Sequence, residues 1–292
     1  MNNWMKNIPD DFVLSEINVP GTHDSCTARV DFSYLSRCQS LCVTEQLEIG
    51  VRFLDIRVKA DGDRLLLVHG MAKCYNPRNK KELLYLEDVI AEWEAFLRKN
   101  PSETIIFSIK RDAGASAEET FHILYENYLC RGVWYLENRI PTLGEVRGKI
   151  VLFNRMCVDN ENEDFNDYNT CLNFSGWPDQ SKPTRFPCAV SVMVRRDGRP
   201  SERFFYQDMY RLKRKEKWKK AVLPMLSSPM QDFGIVLNFL SASDVVHSPR
   251  AYARYMNKRF LKENLYSFTK YGWVIFDFPT EKECKKVVLT NF

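Results

Sequence analysis

Eight short apolar runs, separated by helix-like stretches, constrain the fold of this 292-residue chain more than any other feature. Each run has the length of one strand, and its continuous apolar character is typical of strands buried on both faces of a parallel sheet. The predicted strands are Leu14–Val19, Val51–Val58, Arg64–Val68, Thr104–Ile109, Lys149–Phe153, Ala189–Val194, Gly234–Leu240 and Gly272–Phe276.

The stretches between the runs carry apolar residues at helical spacing. We predict helices over Leu83–Arg98, Ser116–Leu129 and Gln207–Val222, and a fourth that opens at Ser248-Pro249. Cys157–Pro187, rich in Asn, Asp, Ser and Pro, is predicted to be a long irregular excursion. Alternating strands and helices without a linker predict an α/β fold, a single (β/α)8-type barrel that takes in residues 1–292 as one domain.

Charged side chains stand where the apolar runs stop. The six groups are His23, Asp55 with Arg57, His69, Lys110, Arg155 and Asp277. In a barrel, the carboxyl ends of the strands meet at one mouth, and catalytic residues lie there. We therefore expect these groups to form one site.

Two of the four histidines flank an arginine among these groups. His23 lies in PGTHDS and His69 ends LLLVHG, while Arg57 ends FLDIR. Two imidazoles and a fixed cation can move protons on both sides of a phosphate and stabilise the charge that develops on it. Arginine suits that task because its planar fork donates two hydrogen bonds and stays charged. This combination predicts a metal-free phosphodiesterase.

The net charge of +4 is modest, and its densest cluster is Arg211–Lys220. That run is either a solvated helix face or a basic surface for anionic lipid headgroups, which attract each nearby cation by about 1 kcal/mol. No motif or stacking pattern accompanies it, so we do not expect a nucleic-acid partner. No apolar stretch approaches the roughly 20 residues that span a bilayer.

The first residues, MNNWMKNIPDDF, do not read as a signal peptide. Nine cysteines without CxxC spacing fit reduced thiols better than zinc or a disulfide framework. We expect a cytoplasmic protein, or one exported by a route that the sequence does not reveal, that acts at membrane surfaces.

A series of short motifs runs in order from residue 4 to about residue 278. The motifs are Trp4-Met5 with Ile8-Pro9-Asp10, then VPGTHDS, FLDIR, LVHG, NPSETIIFSIKRD, RGKIVLFNR, YQDMY, LNFLS, SPRAYARYMN and GWVIFD. The series strongly resembles bacterial phosphatidylinositol-specific phospholipase C, the family related to the catalytic X region of eukaryotic phospholipases C. The resemblance implies a distorted TIM-type barrel with an incomplete ring of strands, and no cofactor.

The resemblance also implies a reaction and the residues that perform it. The inositol 2-hydroxyl attacks the phosphorus of phosphatidylinositol, which releases diacylglycerol and leaves inositol 1,2-cyclic phosphate; glycosylated phosphatidylinositol is a second candidate substrate. The family pattern assigns the general base to His23, oriented by Asp277, and the general acid to His69, supported by Asp24. It assigns the phosphate clamp to Arg57, with Asp55 in the same network.

Four further positions match the inositol-binding residues of the family. Lys110, Arg155 and Asp208 would hydrogen-bond ring hydroxyls, and the ring of Tyr210 would stack on the apolar face of the sugar. The carboxylate of Asp208 beside the ring hydroxyls would repel phosphate groups attached to the ring. We therefore expect phosphatidylinositol to be preferred to its bisphosphate.

Members of the family touch bilayers with a short helix and a neighbouring loop at the barrel rim. The corresponding stretches here are Phe32–Leu35 and Ser243–Val246, and the second lacks the tryptophan of some relatives. We expect a monomer that contacts the membrane transiently.

Two other functions remain open from the residues alone. A metal-dependent glycerophosphodiester phosphodiesterase needs carboxylate ligands for a divalent cation, whereas Arg57 stands where a ligand would be useful and Gly70, not an acid, follows His69. An inactive lipid-binding barrel is the other alternative, although every catalytic group is present.

Overall fold

The computed structural model describes residues 1–130, 132–156, 172–173, 179–180, 190–193, 202–227, 234–244 and 247–292. Its strands are β1 Val19–Thr22, β2 Phe53–Asp61, β3 Arg64–His69, β4 Ala72–Lys73, β5 Ile105–Ala113, β6 Trp134–Tyr135, β7 Ile150–Asn154, β8 Leu172–Asn173, β9 Val190–Met193, β10 Glu202–Gln207, β11 Val236–Phe239 and β12 Trp273–Phe276. Its α-helices are α1 Ser33–Ser36, α2 Val43–Glu48, α3 Leu86–Lys99, α4 Ala117–Tyr128, α5 Leu143–Val146, α6 Arg214–Lys217, α7 Leu223–Ser227, α8 Pro249–Phe260 and α9 Glu281–Val288. Within the described residues, 3-10 helices lie at Trp4–Asn7, Leu14–Glu16 and Leu289–Asn291, and a π-helix lies at Trp218–Val222.

Eight parallel strands form one curled sheet in the order β6-β7-β5-β2-β1-β12-β11-β10. β9 adds to β10 in the antiparallel sense, and β8 pairs with the end of β7. In the part of the chain that the structure describes, no pairing joins β6 or β8 to β9, so the ring is open on that side. This half-barrel with flanking helices confirms the predicted distorted TIM-type α/β fold.

Alternation along β2 explains how the core supports a polar mouth. Leu54 and Ile56 face the helices, where they pack in a cluster with Trp93 of α3. Phe53 faces the barrel interior, and its ring lies 5.6 Å from that of Trp273. Because side chains two residues apart on a strand share a face, Asp55 and Arg57 follow Phe53 up the interior. Apolar side chains therefore fill the barrel interior below the charged groups.

Three predicted helices are confirmed, with the predicted start signals in place. The hydroxyl of Ser116 accepts a hydrogen bond from the backbone of Glu119 at the start of α4, and Ser248 does the same for Ala251 in α8. α3 ends in Arg98 and Lys99, just before Asn100-Pro101. Among the described residues, no helix is both long and apolar enough to cross a bilayer.

The first predicted strand is wrong in its position. Leu14–Glu16 is a 3-10 helix, and β1 begins only at Val19 and runs to Thr22. Asn18 lies just before β1, and its side-chain amide donates hydrogen bonds to the carbonyl of Thr269 and the hydroxyl of Thr290. These contacts hold the chain outside a strand at this point. The buried Leu14 thus helps to close the barrel bottom.

The third predicted barrel strand does not belong to the ring. β3 is antiparallel to β2, with Val58 opposite Leu67. Only Gly62 and Asp63 join the two strands, and Gly62 has φ +62°. A two-residue turn makes a hairpin and cannot make the crossover that parallel strands need. The hairpin nevertheless brings His69 back to the barrel mouth.

The region around β10 differs most from the prediction. The predicted helix Gln207–Val222 does not form as one unit, because Gln207 ends the strand β10, which was not predicted, and α6 begins at Arg214. Lys217 is buried and donates a hydrogen bond of 3.0 Å to Gln207 Oε1, so the basic run is not simply a solvated face. Most of the Cys157–Pro187 excursion lies outside the described residues.

Candidate active site

The predicted site residues converge on one cavity of about 520 Å³ at the carboxyl ends of the parallel strands. The predicted residues that line it are His23, Asp24, Arg57, His69, Lys110, Arg155, Asp208, Tyr210 and Asp277. Asp55 lies beneath them and is fully buried. Strand pairing sets the spacing, since Arg57 lies opposite Lys110 in the register of β2 and β5.

A sharp bend after β1 turns two consecutive side chains into the cavity. Asp24 has φ +44°, a left-handed conformation that costs a non-glycine residue about 1–3 kcal/mol. Local hydrogen bonds hold the bend: the backbone of Ser25 donates to Asp55 O at 2.8 Å, and Thr27 Oγ1 donates to Asp24 O at 2.7 Å. The strain is thus maintained at the site by surrounding structure.

The buried carboxylate of Asp24 is the centre of the constellation. Its Oδ2 lies 3.1 Å from His23 Nε2 and 3.3 Å from His69 Nε2, and its Oδ1 lies 3.5 Å from Arg57 Nε. The two imidazole rings are 6.2 Å apart and nearly perpendicular. Both imidazoles and the guanidinium therefore converge on one carboxylate.

His23 is fixed from the side away from the cavity. Its Nδ1 hydrogen-bonds Asp277 Oδ1 at 2.9 Å, and its backbone carbonyl accepts from Gln39 Nε2 at 2.6 Å. Burial alone would lower the pKa of His23, but the carboxylates of Asp24 and Asp277 outweigh it and raise that pKa to about 9. Nε2 is left as the nitrogen that faces Asp24.

His69 is oriented by the main chain rather than by an acid. Its Nδ1 lies 2.7 Å from the carbonyl oxygen of Ser36, at the end of α1. A carbonyl only accepts hydrogen bonds, so Nδ1 carries the proton and Nε2 faces Asp24. His69 is more exposed than His23 and ends β3, at the turn into β4.

Two carboxylates hold the guanidinium of Arg57 in place. Its Nη2 donates to Asp55 Oδ2 at 2.9 Å and its Nη1 to Asp112 Oδ1 at 3.2 Å. Burial would lower the pKa of Arg57, but Asp24, Asp55 and Asp112 raise it well above its usual value. Burial likewise opposes ionisation of Asp55, yet Arg57 and Arg155 hold the pKa of this carboxyl far below its normal range.

Asp112 is the main site residue that sequence reasoning missed. It accepts from Arg57 and, at 2.8 Å, from the backbone N–H of Gly70, so it ties the guanidinium to the turn that carries His69. Burial would raise its pKa, but Arg57 and Lys110 lower it to about 2. Alternation along β5 was the available signal, because Lys110 and Asp112 share one strand face.

The residues expected to bind inositol line the same cavity. Lys110 is about 41% exposed and lies 3.5 Å from Asp112. The backbone of Asp208 donates to Gln180 Oε1, and the hydroxyl of Tyr210 donates to Asp179 Oδ1 at 2.8 Å. Arg155 differs from them: it is buried and its Nη1 donates to Asp55 Oδ1 at 3.1 Å, so it belongs to the ion network of Arg57.

The donor set also bears on metal binding. Within the described part of the chain, each group of His, Cys and Asp side chains close enough to share an ion contains a residue that lines this cavity. The guanidinium of Arg57 already faces two of those carboxylates, Asp24 and Asp55. A fixed cation in that position balances the same charge that a divalent ion would balance.

Fold and site together define a class of protein: a half-barrel that holds two imidazoles and a guanidinium for acid–base chemistry on a phosphodiester. The family model described as phosphatidylinositol-specific phospholipase C, X domain, matches residues 8–156. This chain belongs to that family, as the motif series indicated.

Individual relatives agree with the family match. The chain is 27% identical to a 1-phosphatidylinositol phosphodiesterase of Listeria monocytogenes, over 99% of this chain and 84% of the relative. It is 35% identical to the Staphylococcus aureus (strain Newman) protein of the same name, over 53% of this chain and 51% of that one.

Solved structures extend the similarity to the fold. A crystal structure of the Staphylococcus aureus phosphatidylinositol-specific phospholipase C with incorporated pentafluoro-Phe matches with a TM-score of 0.80 at 25% identity, covering 100% of this chain and 97% of that one. The phosphatidylinositol-specific phospholipase C from Listeria monocytogenes matches with a TM-score of 0.71 at 26% identity, covering 100% and 98%.

Proposed function

We propose that this protein is a phosphatidylinositol-specific phospholipase C, which cleaves phosphatidylinositol into diacylglycerol and inositol 1,2-cyclic phosphate without a metal. Family membership supports the reaction and the lipid class. One geometric observation carries the mechanism: the carboxylate of Asp24 lies within 3.5 Å of His23, His69 and Arg57 at once. All three groups can therefore reach a single phosphate.

The first chemical step uses His23 as the base. Its Nδ1 is bonded to Asp277, so Nε2 accepts the proton of the inositol 2-hydroxyl while that oxygen attacks the phosphorus. Asp277 and Asp24 stabilise the imidazolium that forms. The nucleophile belongs to the substrate itself, so no side chain needs to form a covalent intermediate.

His69 completes the reaction on the other side of the phosphorus. Since Ser36 O holds Nδ1, the proton on Nε2 is the one that passes to the departing diacylglycerol oxygen. The bond between phosphorus and that oxygen breaks, and the cyclic diester remains. Arg57 donates to the phosphoryl oxygens and stabilises the extra negative charge of the phosphorane, a contribution worth about 3–4 kcal/mol for one well-placed donor.

Substrate selection is assigned to four further residues of the cavity lining. In this proposal Lys110 and Asp208 hydrogen-bond ring hydroxyls, Tyr210 covers the apolar face of the ring, and Arg155 reaches a hydroxyl from the ion network of Arg57. The carboxylate of Asp208 disfavours a phosphorylated ring. We therefore propose phosphatidylinositol, and also its glycosylated form, as substrates in preference to the bisphosphate.

Four apolar side chains form what we call the apolar rim: Phe32, Tyr34, Leu35 and Met71. All four are exposed, Tyr34 by 68% and Met71 by 82%. Phe32 directly precedes α1, and Tyr34 and Leu35 lie in it. The carbonyl of Ser36 at the end of α1 accepts a hydrogen bond from His69, and Met71 lies two residues after His69. The rim thus borders the histidine that protonates the lipid leaving group, which supports transient membrane contact there. Val245 and Val246, in the other predicted contact, lie outside the described residues.

Phosphorus NMR of phosphatidylinositol vesicles incubated with the protein in excess chelator tests this proposal. We expect a cyclic phosphodiester resonance to appear first and the acyclic monophosphate later. Loss of turnover in chelator would instead identify a metal-dependent glycerophosphodiesterase. Vesicle binding without any product would identify an inactive barrel. Phosphatidylinositol bisphosphate in matched vesicles tests the selectivity, and equal rates on both lipids would contradict the role of Asp208.

A further inference from the structure

Cys38 lies in the wall of the active-site cavity, although the proposed reaction does not use it. Its Sγ, a ring nitrogen of His69 and a carboxylate oxygen of Asp24 all lie within 4.8 Å of one another. Cys38 is buried, and its backbone is fixed at both ends: its N–H donates to Thr27 Oγ1 at 3.0 Å, and its carbonyl accepts from Phe278 at 2.9 Å. The thiol is therefore held in a defined place beside a catalytic imidazole.

The two other side chains of this group are arranged as metal ligands usually are. Ligating histidines nearly always donate their second nitrogen to a carboxylate or a carbonyl, and Nδ1 of His69 donates to Ser36 O at 2.7 Å. Within the described residues, neither oxygen of the buried Asp24 carboxylate has a hydrogen-bond partner, despite the three ion-pair contacts around it. Its Oδ2 already lies 3.3 Å from His69 Nε2.

Thiolate, imidazole and carboxylate together are the ligand set of zinc. Zinc bonds of about 2.0–2.3 Å in a tetrahedron place neighbouring ligand atoms about 3.5 Å apart. The pair formed by Asp24 and His69 meets this spacing, and Cys38, whose Sγ lies within 4.8 Å of both, needs a shift of at most about 1.3 Å to meet it. Three protein ligands would leave the fourth position to water.

We propose that Asp24, Cys38 and His69 form an inhibitory Zn²⁺ site. Binding releases the thiol proton of Cys38 to solvent, forms a sulfur–zinc bond and takes up the lone pair of His69 Nε2. The imidazole can then no longer carry the proton for the leaving group, and the ion occupies the phosphate position. Arg57, 3.5 Å from Asp24 Oδ1, opposes a second cation, so binding is weaker than at a closed four-ligand site and reversible by chelators.

A second group, His23, Cys38 and Asp277, shares the same thiol. It is the less suitable set, because Asp277 Oδ1 already hydrogen-bonds His23 Nδ1 at 2.9 Å, and an ion between them would break that bond. The two sets make different predictions for single histidine variants. His69→Ala should abolish binding, whereas His23→Ala should leave it intact.

Titration of the metal-free protein with Co²⁺, a spectroscopic substitute for zinc, tests the site without any substrate. The wild type should develop a thiolate-to-cobalt charge-transfer band in the near ultraviolet. Cys38→Ser and His69→Ala should lose it, while His23→Ala and the matched control Cys130→Ser, at an exposed cysteine, should keep it. A band that persists in Cys38→Ser overturns the proposal, and a band that is lost in His23→Ala and Cys38→Ser but kept in His69→Ala replaces the set by the second one.

Zinc inhibition of turnover is the second readout. Without zinc, Cys38→Ser should cleave phosphatidylinositol like the wild type, and its inhibition should need roughly tenfold or more zinc. Equal inhibition of both proteins overturns the proposal. If circular dichroism shows that Cys38→Ser is unfolded, the cobalt result for His69→Ala decides. Because the cobalt band needs no reaction, failure of the proposed function leaves the metal site independently testable.

Discussion

The two groups of residues in the active-site cavity, called here the phosphate side and the inositol side, are built in different ways. The phosphate side consists of His23, Asp24, Asp55, Arg57, His69 and Asp277. The inositol side consists of Lys110, Asp208 and Tyr210. The aspartates and Arg57 of the phosphate side are buried, and each contacts at least one group of opposite charge or an imidazole. Lys110 is 41% exposed, and Asp208 and Tyr210 are half-buried on a segment after β10.

This difference separates catalysis from recognition. Buried dipoles and charges that are already aligned stabilise a transition state without reorganising at the moment of reaction. Exposed side chains must be ordered by the substrate, and that ordering reduces the net gain of each contact. We therefore expect changes on the phosphate side to lower kcat, and changes on the inositol side to raise KM.

Replacing His23 by alanine should have the largest effect. Loss of a general base lowers the rate by about 10²–10⁴-fold, and vesicle binding should stay unchanged because the apolar rim is intact. Initial rates on phosphatidylinositol vesicles measure this. His122→Ala, at an exposed helix position, is the matched control. A His23→Ala rate within tenfold of wild type would remove this residue from the mechanism.

Arg57→Lys should lower kcat by about 10²–10³-fold, although it keeps the charge. A lysine ammonium cannot bind Asp55, Asp112 and a phosphoryl oxygen in the fixed geometry of a guanidinium. Arg98→Lys, on the exposed face of α3, is the control for replacing an arginine by a lysine. If Arg57→Lys raised only KM, the guanidinium would contribute to ground-state binding alone.

The pH profile tests the carboxylates behind His23. Opposite charges at Asp24 and Asp277 favour the imidazolium and raise the pKa of His23 to about 9 against the effect of burial, so the fraction of free base increases as pH rises towards that value. Asp277→Asn removes one of these charges and should lower the pKa of His23. The rising limb of kcat/KM should then move to lower pH, with a lower plateau because the ring is less well oriented.

Asp63→Asn, at the exposed hairpin turn, should leave the profile in place. An unchanged rising limb in Asp277→Asn would show that Asp24 alone governs the ionisation of His23, or that the limb belongs to another group.

The sequence predicted the phosphate side well because most of that side is built from strand ends. An apolar run that stops at a charge predicts both the strand and the placement of the charge. Parallel pairing then brings Arg57 level with Lys110. The cavity lining agrees with the predicted convergence of His23, Arg57 and Asp277.

Other parts of the site depend on tertiary contacts that leave no mark in one sequence. The carbonyl of Ser36 orients His69, yet a main-chain oxygen has no residue type to predict it from. The hairpin of β2 and β3 brings His69 to the mouth by a route that a regular barrel lacks. The strand Glu202–Gln207 was missed because its apolar run is only Phe204-Phe205-Tyr206 between charged and polar residues.

On the inositol side, Lys110→Met should raise KM about tenfold with little change in kcat. The reason is that a hydrogen bond made by a charged group contributes about 1.5–3 kcal/mol. A soluble short-chain phosphatidylinositol, measured below its critical micelle concentration, keeps membrane effects out of the comparison. Lys99→Met, at the exposed end of α3, is the control. If Lys110→Met lowered kcat and left KM unchanged, Lys110 would belong to the phosphate side.

The apolar rim should give the smallest effect and the one most specific to lipid. Tyr34→Ser should weaken binding to phosphatidylinositol vesicles by several-fold, because full burial of such a side chain contributes at most about 1.5–3 kcal/mol and the ring enters only the interface. Tyr266 offers a close control: it is also 68% exposed, but it lies before β12, at the amino ends of the strands. Tyr266→Ser should bind vesicles like the wild type. Both variants should cleave the soluble substrate normally, since neither tyrosine lines the cavity. Equal loss of vesicle binding in the two variants would mean that exposed aromatic area, and not its position beside His69, governs the contact with lipid.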